Sequence, residues 1–150
     1  MKVLRKKNYL SMIENAAGAT MFQNLWVQNN EKILDATKGG TLSCAVFVSS
    51  ILKLFDLLSE QKATVDNLIK AMLENGWTEI KVNNMKAGDV LVWNKKKDRD
   101  GEQHGHIGFY IGNQKAISNS TKLKKIVRHG FDYGGRRKIV KVLRWPHWEN

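Results

Sequence analysis

Two residues in this sequence have the types and surroundings that covalent chemistry on a carbonyl group needs. Cys44 is the one cysteine in 150 residues, and it follows Lys38-Gly-Gly-Thr-Leu-Ser43, where the pattern predicts the start of a helix. Unpaired N–H groups and the helix dipole at such a position stabilise a thiolate, so we expect a lowered pKa for Cys44. The same N–H groups can donate to the oxyanion formed by attack on a carbonyl. Cys44 is therefore a candidate nucleophile, although free cysteines are often simply buried.

His106 is the candidate base for this thiol. It heads the segment Gly105-His-Ile-Gly-Phe-Tyr-Ile-Gly-Asn113, whose alternation predicts a strand with His106 on one face and Phe109 on the other. A strand packed beside the start of the Cys44 helix would hold the imidazole rigidly within reach of the thiol. Gly105 and Gly108 are expected to leave room for a substrate backbone.

The first half of the chain is predicted to be helical. Apolar spacing favours helix from about Tyr9 to Thr37, interrupted at Gly18, and this segment includes Trp26, which we expect in the core. A central helix should begin at Cys44, capped by Thr41 or Ser43. Its buried stripe is Cys44, Phe47, Val48, Ile51, Leu52, Phe55 and Leu58. A third helix is predicted over Thr64 to Asn75.

After Trp77 the apolar period changes to two, which indicates short strands. The predicted strands are Val90 to Trp93, His106 to Ile111, Ala116 to Ser118, Ile126 to Arg128 and Ile139 to Leu143. Helices followed by strands predict one α+β domain over residues 1–150, with the Cys44 helix packed on an antiparallel sheet. The basic insert Lys95 to Gln103 is interpreted as an exposed loop.

The composition limits the classes of partner. The formal net charge of +11 predicts attraction to polyanions, such as nucleic acid or anionic cell-wall polymers. Nucleic acid is disfavoured, because the basic residues are not interleaved with aromatics in a known motif. No metal or cofactor is expected, since zinc-ligand spacings are absent. We expect a soluble monomer without a membrane span or signal peptide, because the apolar runs are short and polar residues follow the basic N-terminus.

Three motifs in succession resemble those of the NlpC-type papain-like cysteine peptidases, a family of cell-wall hydrolases. They are Ser43-Cys-Ala-Val-Phe-Val48, Ala87-Gly-Asp-Val-Leu-Val-Trp93 and Gly105-His-Ile-Gly-Phe-Tyr-Ile-Gly-Asn113. The resemblance spans about Leu42 to Ser120. It implies a papain-like fold, Cys44 as nucleophile, His106 as base and cleavage of amide bonds in peptidoglycan stem peptides.

Two residues, Ser118 and Asn119, are candidates to orient His106. The family usually carries a polar residue, commonly His, on the next strand, and ungapped alignment places Ser118 there. Asn119 is one position on, and its side-chain oxygen is chemically the better acceptor for an imidazole N–H. A bulge could turn Asn119 inward. We interpret His104, His129 and His147 as surface or substrate-groove residues.

Two other functions remain possible from the sequence. One is a different papain-like amidase or acyltransferase that uses the same two residues. The other is a catalytically silent module whose basic C-terminal half binds nucleic acid or another polyanion. A peptidase made in the cytoplasm would reach the wall by release as a phage lysin or by non-classical export.

Overall fold

The computed structural model describes residues 1–97 and 101–149. Within these ranges the chain forms helices α1 Arg5–Asn15, α2 Cys44–Leu54 and α3 Val65–Glu74, and a short 3-10 turn at Val82–Asn84. The strands are β1 Trp26–Asn29, β2 Lys32–Asp35, β3 Thr78–Ile80, β4 Val90–Lys97, β5 Gln103–Gly112, β6 Lys115–Ser120, β7 Lys125–Gly130 and β8 Ile139–Arg144. None of the described helices is long and apolar enough to cross a membrane.

Six strands form one antiparallel sheet. Their order is β3-β8-β4-β5-β6-β7, while β1 and β2 pair with each other as a separate hairpin. Helices α1, α2 and α3 cover the face of the sheet that carries Ile107 and Phe109. The predicted α+β fold, with the Cys44 helix on an antiparallel sheet, is confirmed.

Helix α2 packs through the first part of the predicted apolar stripe and ends at Leu54, before Phe55 and Leu58. Phe47, Val48 and Leu52 are fully buried, and the Phe47 ring meets Phe109 of β5 edge to face at 5.4 Å. This contact buries large aromatic area with favourable ring geometry, which fixes the position of α2 over β5. Helix α3 also begins as predicted, because the Thr64 side chain accepts a hydrogen bond from the Asn67 N–H.

The predicted helix between Tyr9 and Thr37 is wrong beyond residue 15. Helix α1 ends at Asn15, and Trp26 to Asp35 form the β1–β2 hairpin. Asn30 adopts a positive φ of 53° in its two-residue turn, a conformation that asparagine tolerates and a helix does not contain. Trp26 is 67% exposed on this hairpin, so its assignment to the core is also wrong.

The basic segment after Trp93 is largely strand, which corrects the predicted loop. β4 continues to Lys97 and β5 begins at Gln103, with Lys96 opposite His104 and Lys97 opposite Gln103. The lysines are tolerated because the paired arm is exposed beyond the end of the core. Residues 98–100 of the predicted loop lie outside the described residues.

Candidate active site

Cys44 is the first residue of α2, and the loop before it is held by hydrogen bonds at both ends. The Asp35 carboxylate accepts from the backbone N–H groups of Leu25, Thr37 and Gly39 at 2.8–3.0 Å. Ser43 occupies the N-cap position, but its hydroxyl donates to the Phe22 carbonyl at 2.6 Å instead of capping the helix. The chain therefore reaches Cys44 through a fixed turn.

His106 lies on β5 and lines the same cavity as Cys44. The two residues line one cavity of about 460 Å³, together with Gly105, and His106 is only 7% exposed. The N–H of Ile107, the residue after His106, lies at the Cys44 thiol and favours its thiolate form. The structure thus brings together the two residues that the sequence selected as nucleophile and base.

Burial controls the protonation of this pair. It raises the pKa of the Cys44 thiol, and the opposing effects of the Ile107 and Ala45 N–H groups and of Arg137 do not overcome it. The expected lowering of that pKa at the helix start is therefore wrong. Burial, with the charges of Arg137 and His129, lowers the pKa of His106 to about 3. At neutral pH the resting site holds a neutral thiol and a neutral imidazole.

Ser118 contacts His106, and Asn119 does not. The Ser118 hydroxyl on β6 is fully buried and lies 2.9 Å from His106 Nε2. Asn119, on the same cavity wall, donates from Nδ2 to the Gly40 carbonyl at 2.9 Å and ties β6 to the loop before Cys44. No register shift separates Ser118 from Asn119 in the β6–β7 pairing, so the bulge that could have turned Asn119 inward is not formed.

Two further residues surround the Ser118 hydroxyl, and neither was predicted as a partner of His106 or Ser118. His129 Nε2 of β7 lies 2.6 Å from Ser118 Oγ, and the Tyr133 hydroxyl lies 3.0 Å from it. His129, which was interpreted as a surface or groove residue, is partly exposed, and its imidazole also hydrogen-bonds Ser118. The pairing of β6 with β7 explains the contact. Val127 pairs with Ser118, so His129, two residues further on, projects from the same face of the sheet as Ser118.

Gly108 serves the packing of the sheet, which corrects its predicted role in admitting substrate. A methyl group at Gly108 would lie 2.7 Å from both the Ile117 carbonyl oxygen and Ser118 Cβ. The nearest atoms to a methyl group at Gly105 would be those of the Val65 side chain, at 3.4 Å or more. The close approach of β5 and β6 at Gly108 is what brings Ser118 to His106.

The cavity walls are charged. Asp66 and Glu102 lie with Lys95 and Arg137 in the cavity that contains Cys44. An adjoining cavity of about 370 Å³ shares His106, Asn119 and Arg137 with the first, and its other charged lining residues are Lys96, Lys122 and Arg136. One side of His106 is therefore mixed in charge, and the other is basic. Within residues 1–97 and 101–149, no group of three His, Cys, Asp or Glu side chains is placed to hold a metal ion.

Comparisons with known proteins agree with this geometry. The sequence profile of the NlpC/P60 family matches residues 26–144. Among solved structures, NlpC2 from Trichomonas vaginalis has a similar fold, with a TM-score of 0.60 and 14% identity. The alignment covers 100% of this chain and 49% of that chain, so this chain spans about half the length of that protein. No curated protein matches the sequence. Because the profile match includes α2 and every strand of the six-stranded sheet, the chain belongs to the NlpC/P60 family, whose members are generally cysteine peptidases or amidases.

Proposed function

We propose that this protein hydrolyses amide bonds in the stem peptides of peptidoglycan, with Cys44 as nucleophile and His106 as base. The observation that carries the proposal is the shared cavity of the two residues, with Cys44 at the head of α2 and the Ile107 N–H at its sulfur. Family membership supports cysteine chemistry at this cavity.

The first half of the reaction transfers an acyl group to the sulfur. As the Cys44 sulfur attacks the amide carbon, its proton passes to the His106 imidazole, which is neutral at pH 7 and so has a lone pair free to accept it. The N–H groups of the first turn of α2 stabilise the negative oxygen of the tetrahedral intermediate. The carbon–nitrogen bond then breaks, and the amine leaves with the proton from His106.

The second half releases the acid. Water attacks the thioester carbon while His106 takes one of its protons, and the carbon–sulfur bond breaks. The proton returns to sulfur, so the neutral thiol and imidazole of the resting site are regenerated. Ser118 contacts His106 Nε2, which assigns proton transfer to Nδ1, the other ring nitrogen.

The charges around the site support an anionic peptide as substrate. Lys96, Lys122 and Arg136 line the cavity next to His106, where they would attract carboxylate groups and the anionic polymers of a wall. The mixed charges beside Cys44 would suit a peptide that carries both carboxylates and amines.

The test is digestion of purified peptidoglycan by the wild-type protein and by Cys44→Ala, with released fragments identified by mass. His106→Gln is the second inactive variant, and His147→Gln is the matched histidine control, because His147 packs on Trp145 away from the cavity. We expect fragments from the wild type and the control only. Their masses would name the cleaved bond.

Other outcomes would select a rival function. If walls of several types stay intact but small amide or ester substrates react in a Cys44-dependent way, the protein is a different papain-like amidase or acyltransferase. If nothing is cleaved and wild type and Cys44→Ala bind a polyanion equally, with strong salt dependence, the basic cavity belongs to a binding module.

A further inference from the structure

The hydrogen bonds around Ser118 carry a second inference, which rests on the proposed function. We propose that His129 and Tyr133 are positioning residues that act through Ser118 to keep the proton of His106 on Nε2. The lone pair on Nδ1 is then always available for the Cys44 proton. The family resemblance assigns orientation of the base to the position of Ser118 alone, and a hydroxyl there has no fixed direction of its own.

The carbonyl of Gly130, next to the His129 ring, sets the direction of the network. His129 Nδ1 lies 2.8 Å from the Gly130 carbonyl oxygen, which can only accept, so Nδ1 carries a proton. Burial lowers the pKa of His129, so the ring is neutral and its Nε2 is an acceptor. The one hydrogen of the Ser118 hydroxyl must then point to His129 Nε2, 2.6 Å away.

With that hydrogen committed, Ser118 can only accept from its other neighbours. With a proton on His106 Nε2, that N–H donates to Ser118 Oγ at 2.9 Å, and the Tyr133 hydroxyl donates to Ser118 Oγ at 3.0 Å. The Tyr133 oxygen, 2.8 Å from His106 Nε2, shares the same N–H. The alternative tautomer would place a lone pair of His106 Nε2 against a lone pair of Ser118. With the proton on Nδ1, Tyr133 could donate to Nε2 at 2.8 Å, but the Nε2–Ser118 contact at 2.9 Å and the Tyr133–Ser118 contact at 3.0 Å would then hold no hydrogen. The network therefore favours the proton on Nε2.

Aromatic packing keeps these groups in place. The rings of His129 and Tyr133 stack at 4.1 Å with 16° between their planes. The indole of Trp93 lies 5.0 Å from the His106 ring and donates from Nε1 to the Phe131 carbonyl at 2.7 Å. Because Ser118 is fully buried beneath these rings, water has little access to compete for its hydroxyl.

The direct test is a nitrogen–proton correlation spectrum of the full chain labelled with ¹⁵N-histidine at pH 7, which distinguishes protonated from unprotonated ring nitrogens. The His106 signals are assigned by their loss in His106→Gln. We expect a proton on Nε2 of His106 and on Nδ1 of His129. A proton on Nδ1 of His106 in the wild-type protein would overturn the proposal.

Variants test the causal order. In His129→Leu the Ser118 hydrogen is released, and we expect a measurable share of His106 to carry its proton on Nδ1. The kcat for release of wall fragments should fall about tenfold or more, the equivalent of one hydrogen bond, with KM unchanged. His129→Gln keeps an acceptor near the Nε2 position, so the tautomer populations of His106 and the kcat should both return to within about threefold of wild type. An unchanged His106 spectrum in folded His129→Leu would refute the role of His129.

The result is separable from that of the hydrolase test. If the tautomer is as expected but no amide is cleaved, the hydrolase proposal fails and the network stands. If amides are cleaved by a protein whose His106 carries its proton on Nδ1, the network proposal alone fails.

Discussion

Replacement of Gly108 by alanine tests whether the spacing between β5 and β6 controls the base. The added methyl carbon would lie 2.7 Å from Ser118 Cβ and from the Ile117 carbonyl oxygen. An ordinary van der Waals contact starts at 3.4 Å, so the strands must separate by about 0.7 Å. Neither neighbour can swing aside, because one is backbone and the other is the first atom of a side chain.

The expected cost is that of overpacking a closely packed interior, about 1 to 3 kcal/mol. For a chain of this length that loss corresponds to a fall in Tm of roughly 2 to 12 °C. The same separation lengthens the contact of 2.9 Å between Ser118 Oγ and His106 Nε2, so activity should fall by more than the lost stability explains.

Urea unfolding would be measured on Gly108→Ala and on the matched variant Gly105→Ala, and rates of wall digestion on Gly108→Ala, because Gly105 itself lines the Cys44 cavity. The methyl of Gly105→Ala meets no atom closer than Val65 at 3.4 Å, so the stability of this variant should stay within about 0.5 kcal/mol of wild type. If both alanines have the same small effect, the close approach at Gly108 does not constrain Ser118 and the reasoning is wrong.

Three further predictions concern charge and protonation. Asp89→Asn breaks a two-point ion pair with Arg144 (2.9 and 2.7 Å) and should cost about 2 kcal/mol in urea unfolding, whereas a loss below 0.5 kcal/mol would contradict a structural role for the pair. Burial lowers the pKa of His106 to about 3, so the unfolded chain binds a proton near pH 6.5 that the folded chain refuses. Stability should therefore fall as pH drops from about 6.5 towards 3, by on the order of 4 kcal/mol, and His106→Gln should show a smaller fall over that window. Burial raises the pKa of Cys44, so alkylation by iodoacetamide should keep accelerating above pH 9, and a plateau near pH 7 would show an ionised resting thiol instead.

The sequence was sufficient for the elements that bury one regular face. Helix α2 and strand β5 were predicted at the right place because their apolar residues, Phe47 and Phe109 among them, repeat with clear periods of 3.6 and 2. The β1–β2 hairpin was missed because it buries little: Trp26 and Ile33 are exposed, so burial imposed no strand period on the sequence. Its one local signal was the pair of asparagines at the turn.

The nucleophile and base were accessible from sequence because each stands inside a short motif. The partners of Ser118 were not, since His129 and Tyr133 lie 11 and 15 residues further along the chain. They meet Ser118 only through the register of β6 with β7 and the turn after β7. The direction of the Cys44 pKa shift could not be predicted from the sequence either, because it depends on how deeply the folded chain buries the thiol.

The Asp35 carboxylate links the β1–β2 hairpin to the loop that precedes Cys44, so the two should open together in local unfolding. It closes β2 and at the same time accepts from the amides of Leu25, Thr37 and Gly39. In hydrogen exchange these three amides should therefore share one protection factor and lose it in a single event. Fraying of β1 and β2 would loosen the entrance to Cys44 while the sheet that holds His106 stays folded, so the two halves of the catalytic pair differ in local stability.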